Sequence, residues 1–175
     1  MKKVLFVVTG LLLVFVVSAC GEGTPEADQH DVEDIKQYVH EYSVGNFTDV
    51  SASISSHELI VIDEDESETT YPLPEDEFFV SIAPFETETH PCAIHSLTGC
   101  QGEMVEKEFE VYIEDEDGNV LVDETMTSLE NGFLDIWLPR DRTYQVMIEH
   151  DGKKSESEIS TFDGDNTCIT TMQLI

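Results

Sequence analysis

Positive charge is what this sequence has least of: eight Lys and Arg stand against 38 Asp and Glu, a formal charge of −30 over 175 residues. Such a surface repels nucleic acid, whose binding relies on Lys and Arg neutralising phosphates, so no nucleic-acid partner is expected. It attracts cations at long range, although each single carboxylate reads first as solvated surface. Cysteine is scarce as well, with four in all, and no two of them form a Cys-x-x-Cys pair. That spacing marks structural zinc sites and thioredoxin-like redox sites, so both lose support. There is no Gly-x-Ser-x-Gly elbow and no phosphate loop in the chain, which removes the corresponding hydrolase and nucleotide classes. The acidic run Glu114-Asp115-Glu116-Asp117-Gly118 lacks the ligand spacing and closing glutamate of an EF-hand and reads as a hairpin turn.

A long apolar run is also missing. The stretch from Val4 to Val17 is shorter than the roughly 18 to 20 residues that a membrane span needs. With Lys2 and Lys3 before it and Val17-Ser18-Ala19-Cys20 after it, it has the form of a secretory signal ending in a lipobox. The expectation is a signal peptide over residues 1–20, with Cys20 as the lipid-bearing first residue of the mature chain. The protein is then extracytoplasmic, tethered to the cell membrane by that lipid, with residues 21–27 as the tether.

Beyond the tether the apolar pattern predicts a mainly β fold with one N-terminal helix, an α+β class. Val32, Ile35, Val39 and Tyr42 recur at helical spacing between Asp28 and Tyr42, with Gly45-Asn46 as the stop. Then the period changes to two. Strands are predicted at 59–62, 78–82, 109–113, 120–122, 133–138, 144–148, 155–162 and 168–174, with 63–70 as a charged turn or hairpin loop. Pro72, Pro74 and Pro84 push their neighbours to edges or loops. Short strands separated by turn signals suggest a β-sandwich. Residues 28–106 are read as a helix plus strands carrying a Cys/His loop. Residues 107–175 are read as an immunoglobulin-like sandwich region that closes with the third mature cysteine.

That loop carries the chemistry. His90-Pro91-Cys92-Ala93-Ile94-His95-Ser96-Leu97-Thr98-Gly99-Cys100-Gln101-Gly102-Glu103-Met104 holds two of the three cysteines that follow Cys20, two of the six histidines and a single carboxylate. The third thiol is Cys168, far away in sequence. Outside the cytoplasm cysteines normally pair, but three cannot all pair within one chain. One disulfide plus a spectator thiol is the plain reading; a site that needs thiolates is the other. Thiolates suit soft Cu(I), and imidazole suits copper or zinc. Copper, as Cu(I) or Cu(II), is therefore the expected ion, with zinc an occupant in vitro. Candidate ligands are Cys92, Cys100 and Cys168, then His95 and His90. Met104, Met126 and Met172 are candidate thioethers that read more readily as core. Two thiols oxidising to a disulfide release two electrons, enough to reduce two Cu(II).

The segment from His90 to Glu103, with Thr167-Cys168-Ile169-Thr170-Thr171-Met172-Gln173-Leu174 much later, resembles the CueP family of extracytoplasmic copper-binding proteins linked to copper resistance. Phe133-x-Asp135-x-Trp137-Leu138-Pro139-Arg140 resembles the family's later β-region. The resemblance implies copper binding by three cysteines, which fall on Cys92, Cys100 and Cys168. It also implies reduction of Cu(II) to Cu(I) and, in some bacteria, delivery to a periplasmic superoxide dismutase, so a copper-receiving protein is an expected partner. The departure is the tether at Cys20. Catalytic turnover is not assigned, because sustained reduction needs an external reductant. Two alternatives stay open: a thiol-disulfide redox protein, and a structural β-sandwich lipoprotein with one disulfide.

Overall fold

The computed structural model describes residues 29–175. The signal peptide, Cys20 and the tether lie outside the described residues. The described residues begin with helix α1 (Gln29–Val44) and continue through β1 (Ser51–Ile54), β2 (Glu58–Ile62), β3 (Glu68–Pro72), β4 (Glu77–Ile82), β5 (His95–Ser96), β6 (Glu108–Asp115), β7 (Val120–Thr127), β8 (Leu134–Pro139), β9 (Thr143–His150), β10 (Lys153–Ser160) and β11 (Cys168–Ile169). Among the described residues the class is thus mainly β with one helix, as the periodicity predicts.

The strands form three sheets, ordered β3-β2-β1-β5, β10-β9-β6-β7 and β11-β4-β8. The third sheet is the middle layer, because its strands alternate between two cores. Phe78, Val80 and Ile82 of β4, with Leu134, Ile136 and Leu138 of β8, face Phe109, Val111, Ile113, Tyr144, Val146 and Ile148 of the β10-β9-β6-β7 sheet. Those residues fill a sandwich core. The intervening residues of β4 and β8 point the other way. Phe79 and Trp137 pack with Ala52, Ile54, Leu59 and Val61 of the β3-β2-β1-β5 sheet and with Ile35 and Val39 of α1. A central strand buried on both faces needs a continuous apolar run, and Phe78-Phe79-Val80-Ser81-Ile82 is one except for Ser81.

Several strands differ from expectation for local reasons. β1 offers only Ala52 and Ile54 among serines, too weak a pattern to be seen beforehand. The 63–70 region turns by Ser67 and then becomes β3, an edge strand exposed along its whole length. β7 runs on to Thr127 although Met126 is the one apolar residue of its second half, because β6 supplies seven register partners. β11 stops after two residues, and only a bridge between Phe85 and Gln173 continues it. The pairing of β4 with β8 also joins the segments on either side of residue 106. The sandwich therefore draws a strand from the N-terminal segment.

Candidate metal centre

The middle sheet decides where the third thiol goes. β11 runs parallel to β4 with Cys168 opposite Ser81, and the amides of Thr167 and Cys168 both donate to the Ala93 carbonyl, at 3.0 and 3.1 Å. Those bonds hold the start of β11 against the Cys/His loop. From the facing sheet, β5 pairs with β1, His95 opposite Ile54, and the His95 amide donates to Thr167 Oγ1 at 3.0 Å. Two sheets thus bring residues 76 positions apart in sequence to a Cα–Cα separation of 5.6 Å, at Cys92 and Cys168.

Cys92, His95, Cys100 and Cys168 each present a ligand atom within 4.8 Å of the others. Cys92 and Cys168 are joined as a disulfide, and Cys100 is a free thiol. The Cys100 sulfur lies 3.6 Å from that of Cys92, and His95 Nδ1 lies 3.4 Å from that of Cys168. Cys168 and His95 are fully buried, while Cys92 and Cys100 are partly exposed. The cluster therefore has a fixed inner side and a solvent-facing outer side. Phe133 floors it, its ring centroid 4.5 Å from that of His95, with Ala83 beside it. Burial pushes the His95 imidazole down to about 4, and the neighbouring His90 ring adds to the shift. The ring is neutral at neutral pH and keeps a lone pair for a proton or a metal.

The remaining candidates are elsewhere. His90 lies outside the four-residue group; its ring stands against Phe133, at 6.4 Å between centroids. Met104 and Met172 are buried in the sandwich core and Met126 packs against it, so all three are packing residues. Glu103, the loop's one carboxylate, is a clasp. It accepts the amides of Glu86, Thr87 and Glu88 at 2.7, 2.9 and 3.3 Å and also the Thr87 hydroxyl. Those bonds lower its pKa to about 2. The loop is fastened on its other side by backbone contact. Gly102 donates to the Asn131 carbonyl at 2.7 Å, and a Cβ on Gly102 would come within 2.6 Å of the Gly132 carbonyl oxygen. Gly132 itself has φ +80°, so neither position accepts a side chain without displacing the loop.

Sequence reading missed the groups behind His95. Its Nε2 lies 3.3 Å from Ser81 Oγ. The Ser81 hydroxyl donates to Asp135 Oδ1 at 2.5 Å, and the Ser43 hydroxyl donates to Asp135 Oδ2 at 2.6 Å. Burial raises the Asp135 pKa against the opposing pull of both hydroxyls and of His40. The available signal was a single polar residue inside each of two apolar strands, Ser81 in β4 and Asp135 in β8, since buried polar groups carry a cost unless they are bonded.

What the arrangement can do chemically is bind a soft ion, exchange disulfides, or both. Residues 33–173 match the family described as "Periplasmic copper-binding protein CueP". The solved structures include the crystal structure of S.CueP, which is 40% identical to this chain, covers 81% of it and 88% of its own length, and superposes with a TM-score of 0.76. No curated protein matches significantly. With nearly the whole described chain matched, and with three cysteine sulfurs and an imidazole gathered together, this protein belongs to the CueP family of periplasmic copper-binding proteins.

Proposed function

We propose that the reduced protein binds Cu(I) through the sulfurs of Cys92, Cys100 and Cys168 with His95 Nδ1 as a further ligand. We also propose that it generates Cu(I) from Cu(II) with electrons from the Cys92–Cys168 pair. The observation that carries this reading is the convergence of four ligand atoms within 4.8 Å. A structural disulfide alone needs neither a third thiol at 3.6 Å nor a buried neutral imidazole at 3.4 Å. Soft thiolates select Cu(I), and imidazole is compatible with it. Zinc is a competitor in vitro on the same donors. Binding needs thiolates, so affinity falls as pH falls and protons compete.

The test is anaerobic titration of the domain lacking residues 1–20 with Cu(I) against a competing chelator, in the reduced and the disulfide forms. The expected result is one tightly held Cu(I) per reduced chain and none held comparably by the disulfide form. Equal, weak binding by both forms would sink the reading and leave the acidic surface as a non-specific cation sink. A second reading, a thiol-disulfide redox protein, draws support from the free Cys100 thiol beside the disulfide. It requires exchange with protein thiols in the absence of metal.

The lipid tether belongs to the same proposal. Cys20 follows Val17-Ser18-Ala19, and a diacyl anchor would hold the acidic domain outside the membrane while leaving it in water. Changing Cys20 to Ala should release the protein from the membrane fraction and abolish radiolabelled palmitate incorporation. Retention of label in that variant would remove the anchor from the account. Handing copper to an extracytoplasmic recipient, or holding it harmlessly at the cell surface, are the physiological roles this placement serves.

A further inference from the structure

Three residues of the middle sheet stand in one row across three neighbouring strands: Cys168 of β11 opposite Ser81 of β4, and Ser81 opposite Asp135 of β8. His95 reaches into this row from the facing sheet. Its Nδ1 is 3.4 Å from the Cys168 sulfur and its Nε2 is 3.3 Å from Ser81 Oγ. The row continues through the carboxylate of Asp135 to the Ser43 hydroxyl at the end of α1. Ser81 and His95 are wholly buried, so each must find its partners within this chain of contacts.

The direction of the bonds follows from the inventory of donors. Both serine hydroxyls donate to Asp135, Ser81 to Oδ1 at 2.5 Å and Ser43 to Oδ2 at 2.6 Å, so the carboxylate is the acceptor in each bond. Ser81 has one hydroxyl proton. Once it is given to Asp135, Ser81 Oγ can only accept from His95, and the atom facing it is Nε2. A neutral imidazole carries one N–H. If Nε2 holds it, Nδ1 has its lone pair aimed at Cys168.

We infer that Ser81 and Asp135, braced by Ser43, are positioning residues that lock His95 as the Nε2–H tautomer and so turn Nδ1 toward the thiol cluster. The assignment extends the copper reading above, since a ligand with a fixed tautomer and ring orientation needs no reorganisation when the ion arrives. Partners behind a metal-bound histidine typically matter by about 10- to 100-fold in affinity. The device costs stability elsewhere: it places a carboxylate and two hydroxyls between layers that apolar side chains would otherwise fill. Asp135 also ties the helix to the site, because Ser43 lies in the last turn of α1.

The experiment has a metal-free arm and a metal arm. Long-range proton–nitrogen NMR on the reduced, copper-free domain reads the tautomer directly. The expected spectrum shows a pyrrole-type Nε2 and a pyridine-type Nδ1 for His95. A pyrrole-type Nδ1 in the unaltered protein overturns the inference without any variant. Ser81→Ala should then give mixed tautomers and a Cu(I) affinity lower by roughly 10- to 100-fold, and Ser81→Thr, which keeps the hydroxyl, should restore both. In a His95→Ala background, Ser81→Ala should cost nothing further; an equal additional loss there would mark Ser81 as merely structural. If the tautomer is as expected but no form holds Cu(I), the copper reading fails while the positioning chain stands.

Discussion

Changing Cys92, Cys100 and Cys168 together to serine removes tight Cu(I) binding from the reduced domain lacking residues 1–20 while leaving the fold intact. The fold should survive because none of the three sulfurs supports the large cores; their apolar neighbours are Ala83 and Phe133, a small satellite cluster. Serine is close in size, and at position 168 its hydroxyl can take the place of the sulfur near His95 Nδ1. The single changes should not be equal. Cys168 is buried, fixed on β11 by backbone bonds and adjacent to His95, so it is the rigid anchor. Cys92 and Cys100 sit on the partly exposed loop and can adjust to each other. Cys168→Ser should therefore weaken Cu(I) most among the singles, on the order of 100-fold, equal to about 2.7 kcal/mol. Cys92→Ser and Cys100→Ser should each keep the buried Cys168 thiolate with one loop partner and lose less. Competition with a Cu(I) chelator measures all four proteins on one scale, and circular dichroism reports whether the fold holds. A triple variant that retains the original affinity would show that the ion sits elsewhere, on carboxylates or methionines.

How much of this was readable in the sequence depends on whether the signal was local. The helix was legible because Ile35 and Val39 repeat at helical spacing, and β6, β8 and β9 because their apolar residues alternate over six to eight positions. β1 and β5 were not, since four residues of Ser-Ala-Ser-Ile and a two-residue bridge inside a glycine-bearing loop carry almost no pattern. The chemistry of the site was legible as residue types: rare thiols and a histidine in the least acidic window of the chain beyond Cys20. Its geometry was not. The approach of Cys168 to Cys92 depends on a parallel pairing between β4 and β11 over only two residues, which no periodicity announces. The same pairing, extended to β8, sets Ser81 beside Asp135 across 54 positions of sequence. A single serine or aspartate in an apolar strand says that a partner must exist; only the register says which. His90 shows how weakly sequence proximity fixes a site. Its closeness to Cys92 in sequence suggested a ligand, yet its ring stands against Phe133 and lies outside the four-residue group.

The disulfide joins the same two chain segments that a shared Cu(I) would join, so oxidation and Cu(I) binding are alternative cross-links. With its cysteines 76 positions apart, the chain-entropy account gives the disulfide about 4.5 kcal/mol of stabilisation over the reduced, metal-free protein. That gain also drives electrons out of the thiols. In the balanced step, the Cys92 and Cys168 thiols lose two protons and two electrons, one S–S bond forms, and two Cu(II) become two Cu(I). The expected result of mixing the reduced domain with excess Cu(II) under nitrogen is two Cu(I) per chain, trapped by a chromogenic chelator, while the free-thiol count falls from three to one. Cys100→Ser should still yield two Cu(I), because the pair that closes is untouched. Cys92→Ser should slow the reaction by an order of magnitude or more, because Cys92 is the sulfur bonded to Cys168 and also the one 3.6 Å from Cys100. Unchanged kinetics in Cys92→Ser, or loss of both electrons in Cys100→Ser, would place the electron source outside the Cys92–Cys168 pair. Since the product disulfide has given up two of the three thiolates, the domain should release most of the Cu(I) it makes once its thiols are spent. Each round of reduction then ends by surrendering the ion, and renewed capture requires an external thiol donor to reopen the bond.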